Sequence, residues 1–162
     1  VSAGVGACAR GLFPGGASRA VSRARTVDVM CFTRVSMAVA DVGFLLYWTV
    51  TLLALLPAEY AYKDYADPVM SDWNHSFAPL DVAAAVTGLA ALRAGRRIAP
   101  ERVHPLLPIS LLLSSVAGLQ AVVFWTLRGD FAIEWWLPNL FLLLFPLPAL
   151  AVLVRRTTIA RP

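Results

Sequence analysis

Charge is scarce in this chain. Only 15% of its 162 residues are Asp, Glu, Lys or Arg, against 59% hydrophobic, and the mean hydropathy is +0.68. A soluble domain of this length has too little interior to hide that much apolar surface. Cysteine is nearly absent as well. Cys8 and Cys31 do not have the spacing of metal ligands, and both fall on what the charges below make the reducing side, which argues against a disulfide. No metal and no cofactor is expected. The alternation of polar and apolar residues that marks an outer-membrane barrel is missing. So is any early apolar run long enough to be the core of a secretory signal. No inverted repeat of the kind common in transporters relates the two halves.

What the chain has instead is four apolar runs, at about 35–56, 76–94, 106–127 and 135–154. Each approaches the ~20 residues that cross a ~30 Å hydrocarbon layer. In lipid the backbone must satisfy its own hydrogen bonds, so these runs are read as helices. The expected fold is all-α, an integral membrane four-helix bundle. Ser110, Ser114 and Gly118 recur every four residues in the third run, and Ala84 and Gly88 do so in the second, a pattern that lets helix backbones approach closely. Pro138, Pro146 and Pro148 should kink or break the fourth.

The cations set the orientation, because cytoplasmic flanks collect Lys and Arg. Of the fourteen, twelve lie before the first run, at the end of the second or between it and the third, or after the fourth; Lys63 and Arg128 alone occupy the other two connections. Both termini are therefore expected on the cytoplasmic side of the membrane. The arginines flank spans and form no single patch, so no nucleic acid is expected as partner. The bilayer is, with anionic headgroups near Arg93, Arg96 and Arg97. Residues 1–34 read as a basic arm, either disordered or upstream of a later start at Met30 or Met37, with an organelle transit peptide as a further reading. Residues 155–162 form a short basic tail.

The connection "EYAYKDYADPVMSDWNHSFAPLD" (59–81) is strongly aromatic and acidic. Tyr60, Tyr62, Tyr65, Trp73 and Phe77 suit a headgroup layer, where a ring is apolar and its hydroxyl or N–H stays wet. Two readings follow: an interfacial belt with solvated acids, or an ordered cap over the mouth of the bundle. A calcium loop is excluded, since the glycine and closing glutamate it requires are missing.

Residues 41–81 also resemble a known group. "DVGFLLYW", "LPAEYAYKDY" and a Trp-Asn pair followed by "SFAPLD" resemble the YvaD-like bacterial membrane proteins, a small four-span family of unknown function. The resemblance extends over 30–154. It implies a four-span fold in the cytoplasmic membrane of a bacterial cell and brings no catalytic residues.

Candidate functional residues must then come from polar groups in the spans, where an ionisable side chain costs roughly 2.5–3.5 kcal/mol on insertion scales. Asp41 lies about six residues, ~9 Å, inside the first helix. Asp81, Gln120, Glu134 and Asn139 share the outer half, and Trp73 and Asn74 precede Asp81. These six form the candidate ligand site, and Asp41 stands apart. For Gln120 and Asn139 the competing reading is a hydrogen bond between helices. For Asp81 it is an acid placed favourably at a helix N-terminus. Three functions compete: a non-enzymatic bundle that binds a lipid, an apolar ligand or a partner protein; an ion- or proton-coupled transporter or channel subunit using Asp41 and Asp81; and a membrane enzyme acting on a lipid, with Asp81, His75 and Glu134 as acid–base groups.

Overall fold

The computed structural model describes residues 15–96 and 103–159, all of whose regular elements are helices. They are α1 (Gly15–Leu52), α2 (Ala58–Ala61), α3 (Pro68–His75), α4 (Ala78–Gly95), α5 (Leu106–Leu127), α6 (Ile133–Leu144) and α7 (Leu147–Ile159). Four stretches are long and apolar enough to cross a membrane: Thr26–Leu52, Pro68–Gly95, Leu106–Leu127 and Ile133–Arg155.

The third of these coincides with the apolar run read from the sequence. The first differs at both ends. Residues 15–34, read as a disordered arm or as preceding a later start, continue α1. Once the apolar part has nucleated, each further residue adds a hydrogen bond without a new nucleation cost, and Ala and Arg are good helix formers. Residues 1–14 of the arm, Arg97 and residues 160–162 of the tail lie outside the described residues. At its other end α1 stops at Leu52, short of the expected 56. Leu55 N–H bonds the Val50 carbonyl at 3.0 Å across Ala54, whose φ is 48°, a left-handed closure normally given to glycine. The end of α5 closes the same way. Asp130 N–H bonds the Trp125 carbonyl at 3.0 Å, and there Gly129 takes the positive φ, 66°.

The aromatic connection is ordered rather than a plain loop. Asp67 caps α3 by accepting from Val69 N–H at 2.9 Å, and Pro68 sits in the first turn where its missing N–H is harmless. After a single turn at Ser76–Phe77, α4 begins. The fourth run is broken, as its prolines suggest. Pro138 lies inside α6, and Phe145 and Pro146 separate α6 from α7.

Packing follows chain order: α1 on α4, α4 on α5, α5 on α6, with α7 turning back to touch both α1 and α5. Small residues make this possible. Ser110, Ser114 and Gly118 are all buried on one face of α5, and Ala84 and Gly88 on the facing side of α4. Ser110 Oγ donates to the Ala84 carbonyl at 3.0 Å, and Ser115 Oγ to the Leu143 carbonyl at 3.0 Å. One apolar core, with Met37, Leu107, Leu111, Phe145 and Ala149, occupies the end bearing Arg93 and Arg96. A second, around Trp48, Phe77 and Ala121, occupies the end bearing the aromatic connection. The outward faces are as greasy as the inside: Leu46, Leu112, Leu119, Val123 and Leu137 are all exposed.

Candidate functional site

Because α7 rather than α6 approaches α1, the two long walls of the helical assembly part company at the aromatic end. Between them lies a cleft of about 420 Å³. One side of α1 (Ala40, Gly43, Phe44, Tyr47) faces one side of α6 (Glu134, Pro138, Asn139, Phe141) across it. Its back is formed by Phe77, just before α4, and Asp81 of α4, with Ala121 and Trp125 of α5, and α3 roofs it with Met70, Trp73 and Asn74.

The roof is pinned in three ways. Trp73 stacks on Phe124 with centroids 3.7 Å apart, and meets Phe77 and Trp125 edge-on. Asn74 donates its side-chain amide to the Tyr47 hydroxyl at 3.1 Å, tying α3 to α1. Lys63 forms an ion pair with Asp130, joining the two connections at this end, and lies 5.6 Å from the Trp125 ring centre. That hydrogen bond is the main reason the Lys63 ammonium is held above its usual range and Asp130 below the usual carboxylate range. Arg128 reaches Asp64 at 3.9 Å beside it.

Asp81 is the buried charge of the cleft, 6% exposed. The Trp48 indole N–H donates to its Oδ2 at 2.9 Å, while Oδ1 has no hydrogen-bond partner. The first turn of α4 holds it, where the helix dipole favours an anion. The competing reading of Asp81 thus describes its backbone position, and the cleft describes its side chain.

Of the six candidate residues, the fold gathers Asp81, Trp73, Asn74, Glu134 and Asn139 around one cavity. Gln120 is not among them. It is exposed on the outward face of α5, between Leu119 and the buried Ala121. Asn139 does not bridge helices through its side chain either. Its amide donates to the Trp135 carbonyl of its own helix at 2.6 Å, three residues before Pro138, whose ring disturbs the regular ladder. His75 is turned away: its Nδ1 bonds the Ser71 carbonyl at 2.7 Å and its ring meets Tyr62 edge-on. The acid–base set of Asp81, His75 and Glu134 is therefore not assembled around the cleft.

Asp41 is elsewhere. It is fully buried and packs on Gly88, where an added Cβ would collide with its carboxylate and come within 2.6 Å of Ser110 Oγ. Neither carboxylate oxygen has a hydrogen-bond partner, and Asp41 is not part of the cleft wall. At the opposite end a second cavity of about 410 Å³ is lined by Arg34, Arg96 and His104 among apolar residues; Arg93 is exposed nearby.

Sequence reasoning missed Trp48, Phe124, Trp125 and the Lys63–Asp130 pair. Trp48 had a signal: an indole N–H within an apolar run needs an acceptor, and acids are few.

These features define an all-helical protein with four helices long and apolar enough to cross a membrane, and a cleft between the first and the last. The chain belongs to the family described as "Family of unknown function (DUF5360)", which matches residues 33–160. It is 41% identical over 118 residues to the uncharacterized protein YvaD of Bacillus subtilis (strain 168), covering 73% of this chain and 88% of that protein. The resemblance drawn from "DVGFLLYW" and "LPAEYAYKDY" is thereby borne out. No solved structure matches the chain.

Proposed function

We propose that this chain is a multi-pass protein of the bacterial cytoplasmic membrane, with both ends in the cytoplasm, that binds a lipid or other apolar ligand in the α1–α6 cleft without chemistry. The cleft carries the reading: a cavity with aromatic walls, open between two helices of membrane-crossing length, with a carboxylate at its back. Its volume lies within the ~300–1,000 Å³ usual for small-molecule sites. Outward-facing Leu and Val side chains supply the lipid contact. At the cytoplasmic end, Arg93, Arg96 and Arg97 attract anionic headgroups, about 1 kcal/mol for each cation at the surface. The enzyme reading lacks an assembled acid–base set. The transport reading needs Asp41 and Asp81 on one path, and Asp41 is packed against Gly88 away from the cleft.

Gly43 offers the test. It lines the cleft, and nothing lies within 4 Å of where its Cβ would be. Gly43→Phe should therefore fill the cleft without disturbing the fold. Protein extracted in mild detergent should retain a lipid or apolar molecule detectable by native mass spectrometry, and the variant should lose it at equal folded yield. Equal retention by both proteins would refute the cleft as the site.

Orientation is checked separately. A reporter active only outside the cytoplasm should be active when fused after Asp67 and silent when fused after Arg96. The opposite pattern would invert the proposed topology.

A further inference from the structure

We propose that the ligand of this cleft is a lipophilic cation, an ammonium or phosphonium centre carried on an apolar body. The inference rests on reading the cleft as a binding site, and it adds the charge of the occupant.

The argument is a census of charge around the cleft. The α1 wall, the α3 roof and the α5 wall contribute no ionised side chain to it. The connection before α3 contributes Lys63, which is already paired with Asp130. Arg128, just past α5, is turned to Asp64. What remains are two carboxylates, Asp81 from α4 and Glu134 from α6; neither is in an ion pair among the described residues, and the Lys63 ammonium that Glu134 acts on through space is held by Asp130. Asp81 is over nine-tenths buried, with one oxygen held by Trp48 and the other unpartnered. A buried carboxylate is costly to leave charged and unpaired: a cation would pair it, whereas a neutral ligand would leave it to take up a proton instead. An anionic ligand would add repulsion.

The rings point the same way. Tyr47, Trp48, Trp73, Phe77, Trp125 and Trp135 all line the cavity. Their π faces attract a cation and disfavour an anion, and aromatic enclosures are a recurring way to hold quaternary ammonium groups. Lys63 lying over Trp125 shows that the rim already accommodates a cation in this manner. The apolar body of the ligand then has Gly43, Phe44, Pro138 and Phe141 to rest on. A headgroup near Asp81 and a hydrocarbon body toward the α1–α6 opening would satisfy both parts of the cleft at once.

Tetraphenylphosphonium and tetraphenylborate share a shape and differ in charge sign, so the pair isolates the claim. The full chain is placed in nanodiscs of digalactosyldiacylglycerol, an uncharged lipid with no ammonium group to compete, and binding is measured by equilibrium dialysis with empty nanodiscs as the partition control. Tetraphenylphosphonium should bind saturably to the parent, and tetraphenylborate should not. Asp81→Asn still accepts from Trp48 but is neutral, and should weaken phosphonium binding by at least about tenfold, as loss of one partner of a buried charge pair does. Glu134→Gln lies at an exposed position that does not hold the fold, and should weaken it a few-fold. No saturable phosphonium binding, equal binding of the borate, or indifference to both substitutions would overturn the proposal. If Gly43→Phe still displaces a neutral or anionic lipid in that event, the cleft stands as a site and only the charge assignment falls. If it displaces nothing, the site reading falls as well.

Discussion

Gly118→Ala is expected to destabilise the protein by about 1–3 kcal/mol or more, although it adds a single methyl group. A Cβ at Gly118 would stand 2.5 Å from the Asn139 carbonyl oxygen and the Leu143 nitrogen, and 3.0 Å from the Leu142 carbonyl carbon. These are backbone atoms of α6 and cannot rotate aside. The α5–α6 pair must separate, and Ser115 would be drawn away from the Leu143 carbonyl it bonds. At Gly88 the atoms in the way belong to the side chains of Asp41 and Ser110, so alanine there should cost less. At Gly43 nothing is in the way, and alanine should gain roughly 0.5–1 kcal/mol through helix propensity. One chemical change thus has opposite signs at two positions. Unfolding of the purified variants by denaturing detergent reads the series, and Gly118→Ala within 0.5 kcal/mol of the parent would show that the close approach is not real.

Trp48→Phe should cost a further large amount for a different reason. The ring is 2% exposed, and phenylalanine keeps most of its packing. What disappears is the only donor to Asp81 Oδ2 among the described residues, leaving both oxygens of a buried acid without a partner there. The penalty for an orphaned buried polar group is about 1–3 kcal/mol, and more when it is charged. Asp81→Leu in the Trp48→Phe background should then cost less than the two single changes added together. Their coupling, read from a double-mutant cycle, should lie between about 0.5 and 3 kcal/mol. Simple additivity of the two changes would mean that the indole does not hold the acid.

The four apolar runs were legible because hydropathy over some twenty residues depends on nothing distant. Residues 15–34 were not, because a helix with Ala and Arg on all sides leaves no apolar stripe to read. Helix α3 hid behind its composition: Asp67-Pro68 is a readable helix start, but aromatic and acidic residues on both sides suggested a loop. The candidate site was half legible. Asp81 and Glu134 stood out as acids beside apolar runs, yet their lining one cavity depends on α1 packing on α7 rather than on α6, which no local pattern records. Gln120 could have been placed correctly. It lies about 200° around the helix from Gly118, and the row Ser110, Ser114, Gly118 had already marked the inner face. In a lipid-facing helix the outside is as apolar as the inside, so small residues show which side faces inward better than hydrophobicity does.

The cleft is roofed at its aromatic end and open at its side, and this decides how a ligand reaches it. Lys63–Asp130 and the Trp73 stack close the watery approach. The gap lies between α1 and α6, and these two helices also carry the exposed Leu46 and Leu137. In the membrane setting proposed above, a molecule entering there would come from the hydrocarbon, in which it is already dissolved. Occupancy then follows the ratio of ligand to lipid and not the amount dissolved in the buffer. Diluting the membrane with inert lipid should empty the cleft, while diluting the suspension with water should leave it filled.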